Sequence, residues 1–191
     1  MHPIARLDCK RNHDRMPAYP TIPEGLDLIP AADGAIIRRV WLSWRTAPLA
    51  LFAIVWDCFL IFWYSQAFSQ SQFGLMPILF PIGHVAVGIG ITYYVLASLV
   101  NKTDVAVSPT GVTVSTYPLP WIDNRTLAAD EITDVLVRTR SWNRNSTTHV
   151  VMYADRARRE RKLVGGLSLP EQAAFIAEVV RRTLRIESPD Q

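Results

Sequence analysis

Two long apolar runs joined by a short uncharged link dominate the middle of the chain. The first extends from about Ala47 to Tyr64 and the second from about Leu75 to Val100. At roughly 1.5 Å per residue they would reach about 27 Å and about 39 Å as helices, bracketing the hydrocarbon thickness of a bilayer. The longer run therefore needs tilt or a kink. Pro77 falls in its first turn, where a missing amide costs least, and Pro81 a turn later is placed to kink it. Trp41 and Trp44 precede the first run and Trp63 and Tyr64 close it, at the positions of two interfacial aromatic belts. The pattern predicts a transmembrane helical hairpin over 47–100.

The flanks read differently. Residues 1–23 are polar and punctuated by Pro3, Pro17, Pro20 and Pro23, which predicts an extended or disordered lead. Over 24–46, Leu26–Ile29 and Ala35–Trp41 are strand-like and flank Pro30-Ala31-Ala32-Asp33-Gly34. That is a β-hairpin signature, and the hairpin is placed to join a sheet formed after the membrane segment. From residue 101 the apolar positions alternate with period two. Strands are predicted at Thr103–Val107, Val112–Tyr117, Ile132–Arg140, Thr147–Tyr153 and Lys162–Val164. The last element is helical. Ser168 and Glu171 have capping-box spacing around Pro170, and Phe175, Ile176, Val179, Val180 and Leu184 share one face. Residues 188–191 form a tail. The fold class is thus an α+β membrane protein, a helical hairpin beside a bent sheet or barrel closed by a C-terminal helix.

The run Asn101-Lys102-Thr103-Asp104-Val105-Ala106-Val107, then Gly111-Val112-Thr113-Val114, Pro118-Leu119-Pro120 and the helix from Ser168, resembles bacterial pleckstrin-homology-like domains. The resemblance covers roughly 101–187 and implies a strongly bent sheet of about seven strands capped by a helix, often beside a transmembrane hairpin. It implies no enzyme activity, and fold alone assigns no ligand.

Composition sharpens this picture. Charged residues make up 19% of the chain, yet between Ala47 and Val100 the only one is Asp57. The net charge of +3 is too small to argue for nucleic acid. Basic residues are nearly all Arg, which with abundant Ala and Pro suggests a bacterial source. No early apolar run reads as a signal peptide, so the first span is expected to act as an uncleaved anchor. Arg38, Arg39 and Arg45 precede the first run, Lys102 follows the second, and the link carries no Lys or Arg. The positive-inside rule places both termini in the cytoplasm of a bacterial inner-membrane protein.

Candidate functional residues are few. Asp57 is expensive inside a membrane and must face protein or water. Counted from the outer ends of the hairpin, His84 lies at a similar depth, which makes the two an intramembrane polar pair. The pair reads as a structural tie, a contact to a partner or second copy, or part of an ion path. Gly83, Ala86, Gly88 and Gly90 are small residues suited to close helix approach. Arg156, Arg158, Arg159, Arg161 and Lys162 form a basic turn, interrupted by Asp155 and Glu160. It reads as a solvated hairpin or as a contact with anionic headgroups. His2, His13 and His149 are scattered, and Cys9 with His13 lacks further ligands for zinc. No catalytic motif is present, and no cofactor is implied. Three functions remain: a non-enzymatic adaptor or accessory subunit bound to another membrane protein or to itself, an anionic-lipid-binding module, or a component of a transporter or membrane enzyme that contributes Asp57 and His84.

Overall fold

The computed structural model describes residues 21–69, 79, 81–143 and 146–186. The lead as far as Pro20, the segment Gln70–Ile78 with Pro77, and the tail from Glu187 lie outside the described residues, as do His2, Cys9 and His13.

The architecture is mixed α+β, with two antiparallel sheets and, among the described residues, three α-helices. The first sheet contains β1 (Leu26–Ala31), β2 (Gly34–Val40), β3 (Lys102–Ser108), β4 (Gly111–Tyr117) and β5 (Arg125–Ala128), in that spatial order. The second contains β6 (Asp134–Asn143), β7 (Ser146–Ala154) and β8 (Glu160–Leu167). Helices α1 (Ala47–Ser69) and α2 (Ile82–Val100) are inserted between β2 and β3, and α3 (Pro170–Leu184) closes the chain.

The period-two alternation becomes buried rows across the first sheet. Ile37 pairs with Val105, which pairs with Val114. Beside that row, Ala35, Val107, Val112 and Leu127 are successive cross-strand neighbours. The apolar face of α3 lays Phe175, Ile176, Val179 and Val180 on these rows and on Val135, Val151 and Leu163 of the second sheet. β1 and β2 connect through Ala32 and Asp33 alone, because Ala31 pairs with Gly34. Pro30 and Ala31 therefore belong to the strand and not to the turn. Gly34 is required by proximity: a Cβ there would lie 1.9 Å from the Val107 carbonyl oxygen.

Several boundaries differ from the sequence reading. β5 was not predicted; it has four residues with a single buried position, Leu127, too short for alternation to show. β8 is longer than Lys162–Val164, since Gly165 and Gly166 continue the strand. Helix α1 continues past Tyr64 to Ser69, with the serines of this last stretch folding their hydroxyls onto helix carbonyls instead of breaking it. Ser65 bonds the Phe62 carbonyl and Ser69 the Ser65 carbonyl, both at 2.7 Å. Pro81 occupies the N-cap of α2, which begins at Ile82, and most of the expected run from Leu75 to Phe80 lies outside the described residues. At α3 the N-cap is Leu169 with no side-chain cap, so the Ser168–Glu171 box does not form, while Pro170 takes the first position. The helix ends with Arg185 in left-handed backbone, and the Ile186 amide returns to the Arg181 carbonyl at 3.0 Å.

Helices α1 and α2 pack on each other through few residues. Ala53, Leu60 and Ala67 are the buried positions of α1 and recur every seven residues; Gly88 and Val95 of α2 share that interval. A seven-residue repeat keeps one narrow seam in register between two helices. Elsewhere the helices are bare. Only 11% and 22% of their most apolar stretches are buried within the fold. Both are long and apolar enough to cross a membrane.

Candidate functional site

Gly88 stands where the two apolar helices are in close contact. A Cβ there would lie 3.1 Å from Asp57 Oδ1, 3.2 Å from Trp56 Cδ1 and 3.3 Å from Leu60 Cδ1. Gly83 and Gly90 face open space, with no atom within 4 Å of an added Cβ, and Ala86 is exposed. Of the four small residues singled out in the sequence, Gly88 alone carries the helix contact.

Asp57 borders this point. Its Oδ2 accepts a hydrogen bond from the Thr92 hydroxyl at 2.7 Å. The sequence count set Asp57 against His84, whereas the hydroxyl that binds the carboxylate is two turns further along α2. His84 is held by a different residue of α1. Trp56 Nε1 donates to the His84 carbonyl oxygen at 3.2 Å, and the two rings stack with centroids 5.7 Å apart. The polar contacts across the hairpin include Asp57–Thr92 and Trp56–His84.

Asp57 and Thr92 also line a lateral cleft of about 810 Å³ between the helices. Its other walls are mainly apolar, including Leu60, Ile61, Ile89 and Leu96, with Tyr64 and Tyr93 beside them. The half-buried carboxylate has two oxygens able to accept several hydrogen bonds, and Thr92 supplies one.

A second cluster joins the helices to the sheets. Asn101 is buried between α2 and β3. Its Oδ1 accepts from the Leu119 amide at 2.9 Å and its Nδ2 donates to the Leu119 carbonyl at 3.2 Å. Trp41 Nε1 donates to Thr103 Oγ1 at 2.8 Å, and Thr103 shares a hydrogen bond with Thr116 at 2.9 Å. Trp121 meets Trp41 edge-on at 4.9 Å and Tyr94 at 6.2 Å. The Tyr93 hydroxyl donates to the Pro120 carbonyl at 2.6 Å. Arg39 donates to the carbonyls of Gly165 and Gly166, and burial lowers its pKa.

On the solvent face of the first sheet Arg38 grips Asp104 with two hydrogen bonds, at 2.9 and 2.8 Å. Tyr117 adds a third at 2.9 Å. The Arg38 hydrogen bond holds the Asp104 carboxyl below its usual range despite partial burial, and the Tyr117 phenol is pushed up, first by burial and then by Asp104.

The basic turn is already supplied with carboxylates. Arg156 pairs with Asp130, Arg159 and Arg161 with Asp155 at 3.0 and 3.3 Å, and Lys162 with Asp123 at 2.5 Å. Arg158 occupies the left-handed position of the turn, and its amide bonds the Asp155 carbonyl. The backbone amides of Arg159 and Ala157 bind Asp155 and help lower its pKa. The hairpin is a folded turn stitched by its own Asp155 and by Asp123 and Asp130 from elsewhere in the chain.

Among the described residues no three His, Cys, Asp or Glu side chains converge on a metal-sized site. His149 is buried on β7, with Nδ1 3.1 Å from Thr139 Oγ1. Cys58 is exposed on α1. Thr92, Asn101 and Trp121 were not singled out from sequence. A signal for Thr92 existed: counted from the ends next to β2 and β3, Asp57 lies 10 residues in from Ala47 and Thr92 lies 8 in from Val100.

No protein-family model matches this chain, and no curated protein matches it.

Proposed function

We propose that this chain is a non-enzymatic integral membrane protein, an accessory subunit whose helical hairpin binds a helix of another membrane protein. The observation that carries this reading is the Asp57 carboxylate in the lateral cleft between α1 and α2. A carboxylate at that depth is expensive unless it is paired, and insertion scales put the cost at about 2.5–3.5 kcal/mol. One threonine hydroxyl compensates part of that. A partner helix presenting a hydrogen-bond donor to the cleft would supply the rest and cover its apolar walls.

The mostly exposed apolar surfaces of α1 and α2 support membrane insertion. Arginines before α1, Lys102 after α2 and a link without Lys or Arg support an orientation with both termini in the cytoplasm of a bacterial inner membrane. The pleckstrin-homology-like reading of the β part is supported by its strand-rich, two-sheet form with a C-terminal helix packed over the core. In this account that part presents a binding surface and holds the hairpin ends in register. Lipid binding through the basic turn is the weaker reading, because four of its five cations already face carboxylates.

The test is gentle detergent extraction from the native membrane followed by native mass spectrometry. The wild-type chain should carry a membrane protein at fixed stoichiometry, and Asp57→Leu should lose it. Identical, partner-free spectra from both would refute the reading.

A further inference from the structure

We infer that the β4–β5 loop, residues 118–122, is a lipid contact that dips into the headgroup boundary beside the two apolar helices and seats the β part flush on the bilayer. This rests on the membrane reading above and adds to it a second, sequence-distant contact with lipid. Ile122 is 93% exposed at the loop's tip, the most exposed large apolar side chain among the described residues. Exposed isoleucines are ordinary on a water-facing loop when scattered, but this one is positioned by contacts to α2.

Those contacts set its depth. Tyr93 lies seven residues before Val100, about 10 Å along the helix. Its hydroxyl reaches back to Pro120, and Tyr94 of the same turn packs on Trp121. The loop therefore lies alongside the last turns of α2, not beyond its end. Two asparagines hold it there: Asn101 clamps Leu119, and Asn124 Oδ1 accepts from the Thr116 amide at 2.7 Å. Leu42 and Trp44, 62% and 82% exposed, stand on the segment leading into α1 at the same end of the hairpin. Tyr and Trp rings with one polar edge suit that boundary, and an apolar tip beside them suits the acyl side of it. Arg45 and Lys102 at the helix ends are placed for anionic headgroups.

The experiment uses the full chain reconstituted in phosphatidylcholine vesicles. Single environment-sensitive fluorophores are attached at Ile122→Cys and Thr126→Cys in a Cys9→Ser, Cys58→Ser background, and at native Cys58 with Cys9→Ser. The proposal requires emission from position 122 to be blue-shifted relative to position 126. It should be strongly quenched by lipid bearing a nitroxide near the headgroup and shielded from aqueous iodide. If position 122 matches position 126 while the Cys58 probe is quenched by lipid, the loop lies in water and the proposal fails, leaving the membrane hairpin intact. Shielding from iodide without lipid quenching would indicate burial against a second copy and would also overturn it. A Cys58 probe that no lipid nitroxide quenches would remove the membrane reading and the loop contact together.

Discussion

Asp57 of α1 and Thr92 of α2 share a 2.7 Å hydrogen bond across two otherwise apolar helices. It lies beside the tight helix contact at Gly88, so the same region combines packing and polarity. Deleting the donor leaves a carboxylate facing an apolar cleft. Thr92→Val should destabilise the hairpin by about 1 kcal/mol, in the range measured for interhelical hydrogen bonds in membranes. Asp57→Asn retains an acceptor and should cost less. Unfolding the helix pair in bicelles by steric trapping measures both, and an unchanged Thr92→Val would contradict the tie.

Gly88 and Gly90 provide a paired comparison. Gly88→Leu must displace Asp57, Trp56 and Leu60, all 3.1–3.3 Å from the first added carbon. Overpacking of this kind costs about 1–3 kcal/mol. Gly90→Leu meets open space and should stay within about 0.5 kcal/mol of the wild type. The same bicelle measurement separates them; equal effects would mean that the seam lies elsewhere.

Asn101 replaces a strand partner for Leu119 by satisfying both its amide and its carbonyl. Asn101→Ala leaves two backbone groups without protein partners, at about 1–3 kcal/mol for each one that water cannot reach. The loop before β5 should then open more often. Chymotrypsin cleavage at Trp121, followed over time in the reconstituted protein, should accelerate in Asn101→Ala and remain slow in the exposed-site control Thr126→Ala.

Asp104 makes the β part sensitive to acid. Arg38 holds its folded pKa below the value near 3.9 of an unfolded aspartate. A depressed folded pKa adds stability that is complete above the unfolded value and is lost as pH falls through the folded one. Asp155, lowered by two backbone amides and Arg159, acts in the same direction. Thermal melts followed by tryptophan fluorescence should show melting temperature dropping below about pH 4. Asp104→Asn should lower stability at neutral pH and flatten that slope. A slope unchanged in Asp104→Asn would assign the acid sensitivity to other groups.

Much of this fold was legible before any coordinates. Alternation identified β3, β4 and the first hairpin because each buries one face against a common core, and the apolar face of α3 gave its packing side. β5 was hidden by its length. The seam between the apolar helices was harder, because every outward position is also apolar and only depth distinguishes them. The count that favoured His84 assumed that the link ties the hairpin together. The structure ties the opposite ends: Val40 pairs with Lys102, so β2 and β3 lock the starting register of both helices. Counted from there, Thr92 falls near the depth of Asp57, where its hydroxyl reaches the carboxylate. The pairing of most of the basic turn's cations was equally out of reach, since Asp123 and Asp130 come from distant parts of the chain.

The central claim is that α1 and α2 cross a bilayer and leave the β part on one side of it. The most direct test is thiol labelling of the full chain in sealed, inside-out membrane vesicles, using a membrane-impermeant maleimide. The background is Cys9→Ser, Cys58→Ser, with single cysteines at Thr126 on β5 and at Gln66 near the far end of α1. The account predicts that Thr126→Cys labels at once, whereas Gln66→Cys labels only after the vesicles are opened by detergent. Immediate labelling of both positions, or release of the chain by alkaline extraction, would contradict it.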